Sequence, residues 1–282
     1  MLLTAMACKS TELTKAEAAD AQIEQQLKQT PYTKAHGVYH VVSTPSWGYE
    51  VNEGDTVLLW YVAQVSGSGL VFDTNVESVA TEAGLQRSTS QPLRVVAGQT
   101  ELIPGLRNGL LLCRLGQTAN IYCNPSQGFG GEWRGMVPPW STLVYTVQIV
   151  GLNGPGIVAE RQQWASIDLQ GLNADTSGMY LSIAGTATAE LLPQPTDTVL
   201  GWYRCTLPNG TPLHETAETE QLPMQQLPAA LALCLRQMRP GQTATLVAPS
   251  PLLYGKSGAQ HPPVAPYQPL RFELRLDGIK NR

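Results

Sequence analysis

Histidine is scarce in this chain, and its placement speaks against metal chemistry. Only His36, His40, His214 and His261 are present. His36 and His40 lie four apart, but among Val38, Tyr39, Val41 and Val42 they fall in a strand-like run that brings no third ligand. The cysteines (Cys8, Cys113, Cys123, Cys205 and Cys234) include no C-x-x-C pair, so no structural zinc site is expected. Apart from Cys8 they read as small buried apolar residues. Gly255-Lys256-Ser257 is shaped like the end of a phosphate-binding loop. Ser250, however, stands where the first glycine should be, and no strand leads into a helix there, so a surface loop is expected. Lys and Arg number 18 against 22 Asp and Glu, a net charge of −4, without a basic cluster. Nucleic acid is not an expected partner, and neither a metal nor a cofactor is implied.

The elements that must position any chemistry begin with the N-terminus. Ala5-Met6-Ala7-Cys8, followed at once by polar Lys9 and Ser10, resembles the end of a bacterial lipoprotein signal, whose Cys is lipidated. Residues 1–8 are then a signal remnant, Cys8 carries the lipid that holds the protein at a membrane, and the location is the bacterial cell envelope, periplasmic or outer-membrane. The stretch is short and lacks a basic start, as a truncated or misassigned start would leave it. The alternative is a cytosolic protein with a free thiol at Cys8. No apolar run approaches about 18 residues, so no membrane-spanning helix is expected. Residues 9–35 read as a helical spacer. Thr14-x-x-Glu17 has capping-box spacing, and the helix it opens should run to about Gln29 with a thin stripe of Ala18, Ala19, Ile23 and Leu27.

The chain has 282 residues, 43% hydrophobic and 14% charged, enough core for about two domains. Its 26 Gly and 21 Pro favour turns and short strands. It also repeats itself. Gly37-Val38-Tyr39 returns as Gly178-Met179-Tyr180, Asp55-Thr56-Val57-Leu58-Leu59-Trp60-Tyr61 as Asp197-Thr198-Val199-Leu200-Gly201-Trp202-Tyr203, and Gly116-Gln117-Thr118-Ala119 as Gly241-Gln242-Thr243-Ala244. A repeat this long is a tandem domain rather than a solenoid. The boundary falls near Gly151–Gly156, and a helix from about Ala159 to Leu169 enters the second copy. Within the first copy, strands are expected at Thr56–Gln64, Leu93–Ala97, Thr118–Cys123 and Leu143–Val150, a hairpin turn at Ser66–Gly69, and one short helix between Glu101 and Leu115.

These residues resemble the FKBP-type peptidyl-prolyl isomerases over nearly all of the first copy. The motifs stand in order: Gly54-Asp55-Thr56-Val57, Trp60-Tyr61, Val71-Phe72-Asp73, Gly98-x-x-Glu101-Leu102-Ile103-x-Gly105, Gly116-Gln117 and Val137-Pro138-Pro139-x-x-Thr142-Leu143-Val144-Tyr145. The helix-led, lipidated form is similar to envelope FKBP lipoproteins, including those of gliding motility. The resemblance implies an α+β fold of two tandem FKBP-like domains, each a curved antiparallel sheet wrapped on a short helix. The first would span residues 36–152, and residues 153–282 would hold a helix and a degenerate second domain. It further implies catalysis of Xaa-Pro rotation without nucleophile or metal. The barrier is about 18–20 kcal/mol, and a dry pocket that binds the twisted amide better than the planar one lowers it tenfold per ~1.4 kcal/mol.

Carried over by position, Tyr61, Phe72, Asp73, Ile103, Phe129 and Tyr145 are the implied catalytic residues, with Leu93, Leu102, Leu106 and Val137 lining the substrate site. Leu106 is the implied floor, where many members carry Trp. Phe72 and Tyr145 wall the prolyl ring, the Ile103 amide donates to a substrate carbonyl, and Tyr61 holds the Asp73 carboxylate. Phe129 replaces the usual Tyr and loses its hydroxyl. In the second copy Tyr203, Tyr254, Val264 and Phe272 match, but Phe-Asp becomes Leu213-His214, and Pro228, which has no N–H, takes the place of Ile103. The implied function is a folding helper acting on proline-containing polypeptide clients of the envelope or secreted proteins. The alternative is a non-catalytic subunit docking on an envelope, secretion or motility complex. The first copy has 17 extra residues, expected between Thr74 and Gln91 beside the pocket as a helical turn or loop that selects clients.

Overall fold

The computed structural model describes the backbone of residues 2–12 and the whole of residues 13–86, 90–99, 101–216 and 218–280. The chain divides into two compact units, Met1–Gly154 and Pro155–Arg282. The first contains β1 (Thr33–Ala35), β2 (Val38–Thr44), β3 (Thr56–Val65), β4 (Val71–Thr74), β5 (Leu93–Val96), β6 (Thr118–Cys123) and β7 (Leu143–Asn153), with helices α1 (Leu2–Gln26), α2 (Glu77–Glu82) and α3 (Pro104–Leu110). Its sheet runs β1-β2-β6-β7-β3-β4, wholly antiparallel, and β5 also pairs with β3. Residue type explains β3: Val57, Leu59, Tyr61, Ala63 and Val65 alternate onto the buried face. The seven residues of α3 could not hold a helix alone. Pro104 preorganises its first turn, and Leu106 and Leu110 bury its inner side.

Two glycines let α3 lie this close to the sheet. A Cβ on Gly105 would stand 2.3 Å from Cys123 Sγ, and one on Gly109 would stand 2.4 Å from Ile121 Cγ2.

The second unit contains α4 (Pro155–Trp164), β8 (Asn173–Ala174), β9 (Tyr180–Ala184), β10 (Thr198–Thr206), β11 (Pro212–Glu215), β12 (Glu220–Pro223), α5 (Ala229–Leu235), β13 (Thr243–Ala248) and β14 (Leu270–Ile279). Its sheet order β11-β10-β14-β13-β9-β8, with β12 on β10, repeats the path of the first sheet from β2 to β4. The length difference between the copies is not confined to one place. Residues 75–92 join β4 to β5 where 216–219 join β11 to β12, and a smaller excess lies in 97–103 against 224–228. Ladder partners fix strand lengths, so loops absorb the surplus.

Each lead-in helix departs from its expected bounds. Helix α1 is continuous through Thr14, because no Gly or Pro interrupts residues 2–26. Its buried side is Ala16, Ala19 and Ile23, with Leu27 just beyond; Ala18 faces water. Ile23 and Leu27 pack with Tyr39, Val41, Tyr122 and Val144 on the outer face of the sheet, and Asn124 Nδ2 donates to Asp20 Oδ1 at 2.8 Å. The helix is thus part of the first unit. Helix α4 begins at Pro155, four residues earlier than expected, because proline suits a first turn. Its Trp164 meets Tyr180, the counterpart of Tyr39, at 5.9 Å between ring centroids. Its fully buried Glu160 accepts hydrogen bonds from the Ser250 backbone N–H and hydroxyl.

Cys113, Cys123, Cys205 and Cys234 are buried free thiols. Burial pushes the Cys113, Cys205 and Cys234 thiols up to about 12, so they remain protonated. Cys113 Sγ lies 3.6 Å from Nε2 of buried His40. Desolvation lowers the His40 pKa, opposed by a hydrogen bond with Gln117. The unfolded chain therefore binds a proton before the folded one does. Stability of the first unit should be full above about pH 6.5 and fall as the pH drops toward the folded value of His40. Hydrogen exchange of the β2 and β6 amides across pH 7.5 to 5 checks this, and His40→Gln should flatten the His40 contribution.

Candidate functional site

The cross-strand register builds the site. Asp73 on β4, Ala63 on β3 and Tyr145 on β7 stand directly abreast, and the small Ala63 leaves room between the two polar side chains. Opposite the next β3 residue, Gln64, stands Val71, so Phe72 is the extra residue of a bulge. A bulge lets neighbouring residues present side chains that a regular strand would send to opposite faces. Phe72 accordingly meets Phe129 at 5.9 Å and Tyr145 at 6.1 Å, both edge-on, while Tyr61 Oη donates to Asp73 Oδ2 at 2.8 Å.

Burial divides these residues. Tyr61, Tyr145, Leu106 and Val137 are buried, whereas Phe72, Asp73, Phe129, Leu93, Leu102 and Ile103 keep part of their surface in water. Burial raises the Tyr145 phenol well above its ordinary range, and Cys123 and Tyr61 push the same way, so it stays a neutral hydroxyl. Ile103 is the residue before α3, with non-helical backbone angles of φ −55 and ψ 146. Its N–H precedes the helical ladder and has no acceptor within the helix. Leu106 lies on the buried side of α3, Leu93 opens β5 opposite Leu59, and Val137 closes the loop that begins at Phe129. The contacts thus bring together two groups, the Phe72–Phe129–Tyr145 rings and the Tyr61–Asp73 pair. Leu93, Leu102, Ile103, Leu106 and Val137 are placed by their elements.

Three supporting residues escaped the sequence reading. Ala63 could have been found from the alternation Val57, Leu59, Tyr61, Ala63, which sets it on the inner face two residues past Tyr61. Buried Thr74 donates from Oγ1 to the Tyr61 carbonyl at 2.6 Å. Buried Asn75 accepts from the Tyr61 N–H at 2.7 Å and donates to the carbonyls of Leu59 and Gln91, each at 2.9 Å. It fastens both ends of the 75–92 connection. A polar residue one step beyond a strand carried no signal by itself. The connection holds α2, and of the expected loop Arg87, Ser88 and Thr89 lie outside the described residues, as does the Cys8 side chain.

The second unit has the same frame with other occupants. The row Asp73–Ala63–Tyr145 becomes His214–Cys205–Phe272, and the bulge falls on Leu213. Tyr203 and His214 rings lie 5.4 Å apart. Pro228 stands before α5 with φ −51 and ψ 145, close to Ile103 at −55 and 146, but offers no N–H.

The sequence profile described as "FKBP-type peptidyl-prolyl cis-trans isomerase" matches residues 48–150 and again residues 190–277. FK506-binding protein 2 of Yarrowia lipolytica is 27% identical over 121 residues, which is 43% of this chain and 76% of that protein. Peptidyl-prolyl cis-trans isomerase FKBP1A of Xenopus laevis is 28% identical over 101 residues, 36% of this chain and 82% of the relative. Among solved structures, the isomerase of Pseudomonas syringae pv. tomato is 24% identical, covering 46% of this chain and 98% of its own, with a TM-score of 0.40. With more than half of its length matched, in both units, the chain belongs to the FKBP-type peptidyl-prolyl cis-trans isomerase family.

Proposed function

We propose that this isomerase acts on proline-containing segments of envelope or secreted polypeptides, that the first domain does the chemistry, and that the second holds or docks. The observation that carries the reading is the Phe72–Phe129–Tyr145 ring cluster beside a carboxylate held by Tyr61. Rotation about the Xaa-Pro bond breaks amide resonance and transfers no proton. The rings replace water around the prolyl ring, which favours the less polar twisted amide. The Ile103 N–H fixes the chain next to proline, and the Asp73 carboxylate sets a local field that differs for planar and twisted amides. The second domain lacks both the carboxylate and the amide donor, which supports the division of labour. The docking-subunit alternative draws on the same losses and on Phe129, which has no hydroxyl to donate.

Titrating the labelled whole chain with a short Xaa-Pro peptide separates these. Amide shifts should move at Tyr61, Asp73, Ile103 and Tyr145 and stay still at Tyr203 and His214. Equal shifts in both domains, or none, would contradict the assignment. The envelope location rests on Ala5-Met6-Ala7-Cys8, and no helix among the described residues is long and apolar enough to cross a membrane. Mass spectrometry of the native protein should find lipid on Cys8; an unmodified Met1 in the cytosol would remove that part.

A further inference from the structure

The equivalent strands β7 and β14 turn different residues away from the core. On β7 the outward row is Val144, Thr146, Gln148 and Val150, and α1 packs over Val144. On β14 the same positions hold Arg271, Glu273, Arg275 and Asp277, a strict alternation of charge between buried Leu270, Phe272, Leu274 and Leu276. Helix α4 meets this outer face at Tyr180, and Arg271 Nη1 donates to the Asp168 carbonyl at 3.3 Å. Glu273, Arg275 and Asp277 remain exposed.

Register sets two rows across the face. Trp202, Arg275, Thr243 and Ala184 stand abreast, and beside them Arg204, Glu273, Thr245 and Ser182. Arg275 pairs with Asp277 at 2.7 Å and Arg204 with Glu215 at 3.8 Å, so neither arginine is committed to Glu273. Small Ser182, Ala184, Thr243 and Thr245 form with Trp202, Glu273 and Arg275 a trough of about 380 Å3. It leaves room for long side chains from outside.

A row that alternates in charge is complementary to itself read backwards. A two-fold axis crossing β14 between Glu273 and Arg275 sets Arg271 against the partner's Asp277 and Glu273 against the partner's Arg275. The same operation exchanges the two rows, so Trp202 faces the partner's Arg204, a cation on an aromatic ring, and small residues face small residues. A two-fold axis along the strand would instead oppose like charges. Closed dimers are built on such self-complementary patches, and sheets pack face to face about 10 Å apart, a gap that Arg and Glu side chains can bridge. We propose that the outer face of β14 is where two copies of this chain meet, second domain to second domain, about the axis across the strand. That gives the second domain a role that needs neither the carboxylate nor the amide donor it lacks.

The test is sedimentation velocity of the whole chain over a dilution series, with two variants. Glu273→Arg/Asp277→Arg makes the row wholly basic, and Arg271→Glu/Arg275→Glu makes it wholly acidic. The wild type should approach twice the monomer mass. Each variant alone should self-associate at least tenfold more weakly, because like charges then face each other. An equimolar mixture of the two should form a mixed dimer about as tightly as the wild type, which also shows that both variants fold. A wild type that stays monomeric, variants that dimerise as it does, or a mixture no tighter than its components overturns the proposal. So does an effect of the variants seen only in binding to phosphatidylglycerol vesicles or to an unfolded polypeptide.

Discussion

Phe72→Ala combined with Asp73→Ala is expected to lower kcat/KM for a short Xaa-Pro peptide on the order of a hundredfold, about 2.7 kcal/mol of transition-state stabilisation. Two independent losses combine. Removing the Phe72 ring opens the edge-on cluster with Phe129 and Tyr145 to water, and removing the carboxylate leaves the Tyr61 hydroxyl without the acceptor it now holds at 2.8 Å. Phe72 is partly exposed on a bulge, so the fold should survive, and far-UV circular dichroism checks that it does. No remainder of comparable size should come from the second domain, where Leu213, His214 and Pro228 replace Phe72, Asp73 and Ile103. Activity within about threefold of wild type would show that the chemistry lies elsewhere.

Gly105→Ala should destabilise the first domain by about 1–3 kcal/mol and reduce catalysis with it. The added methyl would lie 2.3 Å from Cys123 Sγ and 2.9 Å from the Gln127 carbonyl oxygen, so α3 must lift from the sheet. Ile103 and Leu106 travel with that helix. The second domain shows how the same contact can be built with a larger residue: Ala230 occupies the place of Gly105, and Ala248 the place of Cys123. Volume removed on the strand is volume available to the helix. Gly105→Ala/Cys123→Ala should therefore recover most of the stability in a urea melt. Strict additivity of the two single effects would contradict that packing argument.

The parts of this molecule that were legible in the sequence are those where a local rule and a long-range one agree. Strand β3 could be read because Val57, Leu59, Tyr61, Ala63 and Val65 alternate and all face the core. The repeat could be read because Asp55–Tyr61 and Asp197–Tyr203 answer to the same position in two equal sheets. Helix α1 was read short, since the Thr14-x-x-Glu17 cap is a local signal and nothing upstream breaks the helix. The residues of the proposed site stood in family motifs, but their geometry was not visible there. That Phe72 sits on a bulge, and that Ala63 separates Asp73 from Tyr145, depends on pairing among three strands that are distant in the chain. Asn75 was invisible for the same reason, because all of its partners are long-range.

We propose that Xaa-Pro bonds are rotated at the first domain's ring-and-carboxylate site. The most direct test is the cis-to-trans relaxation of a short chromogenic Xaa-Pro peptide mixed with the whole chain. Uncatalysed relaxation takes tens to hundreds of seconds at 25 °C. An added rate is expected that rises in proportion to protein concentration and is lost in Phe72→Ala/Asp73→Ala. Relaxation at the uncatalysed rate, at protein concentrations well above those at which the peptide binds, would contradict it.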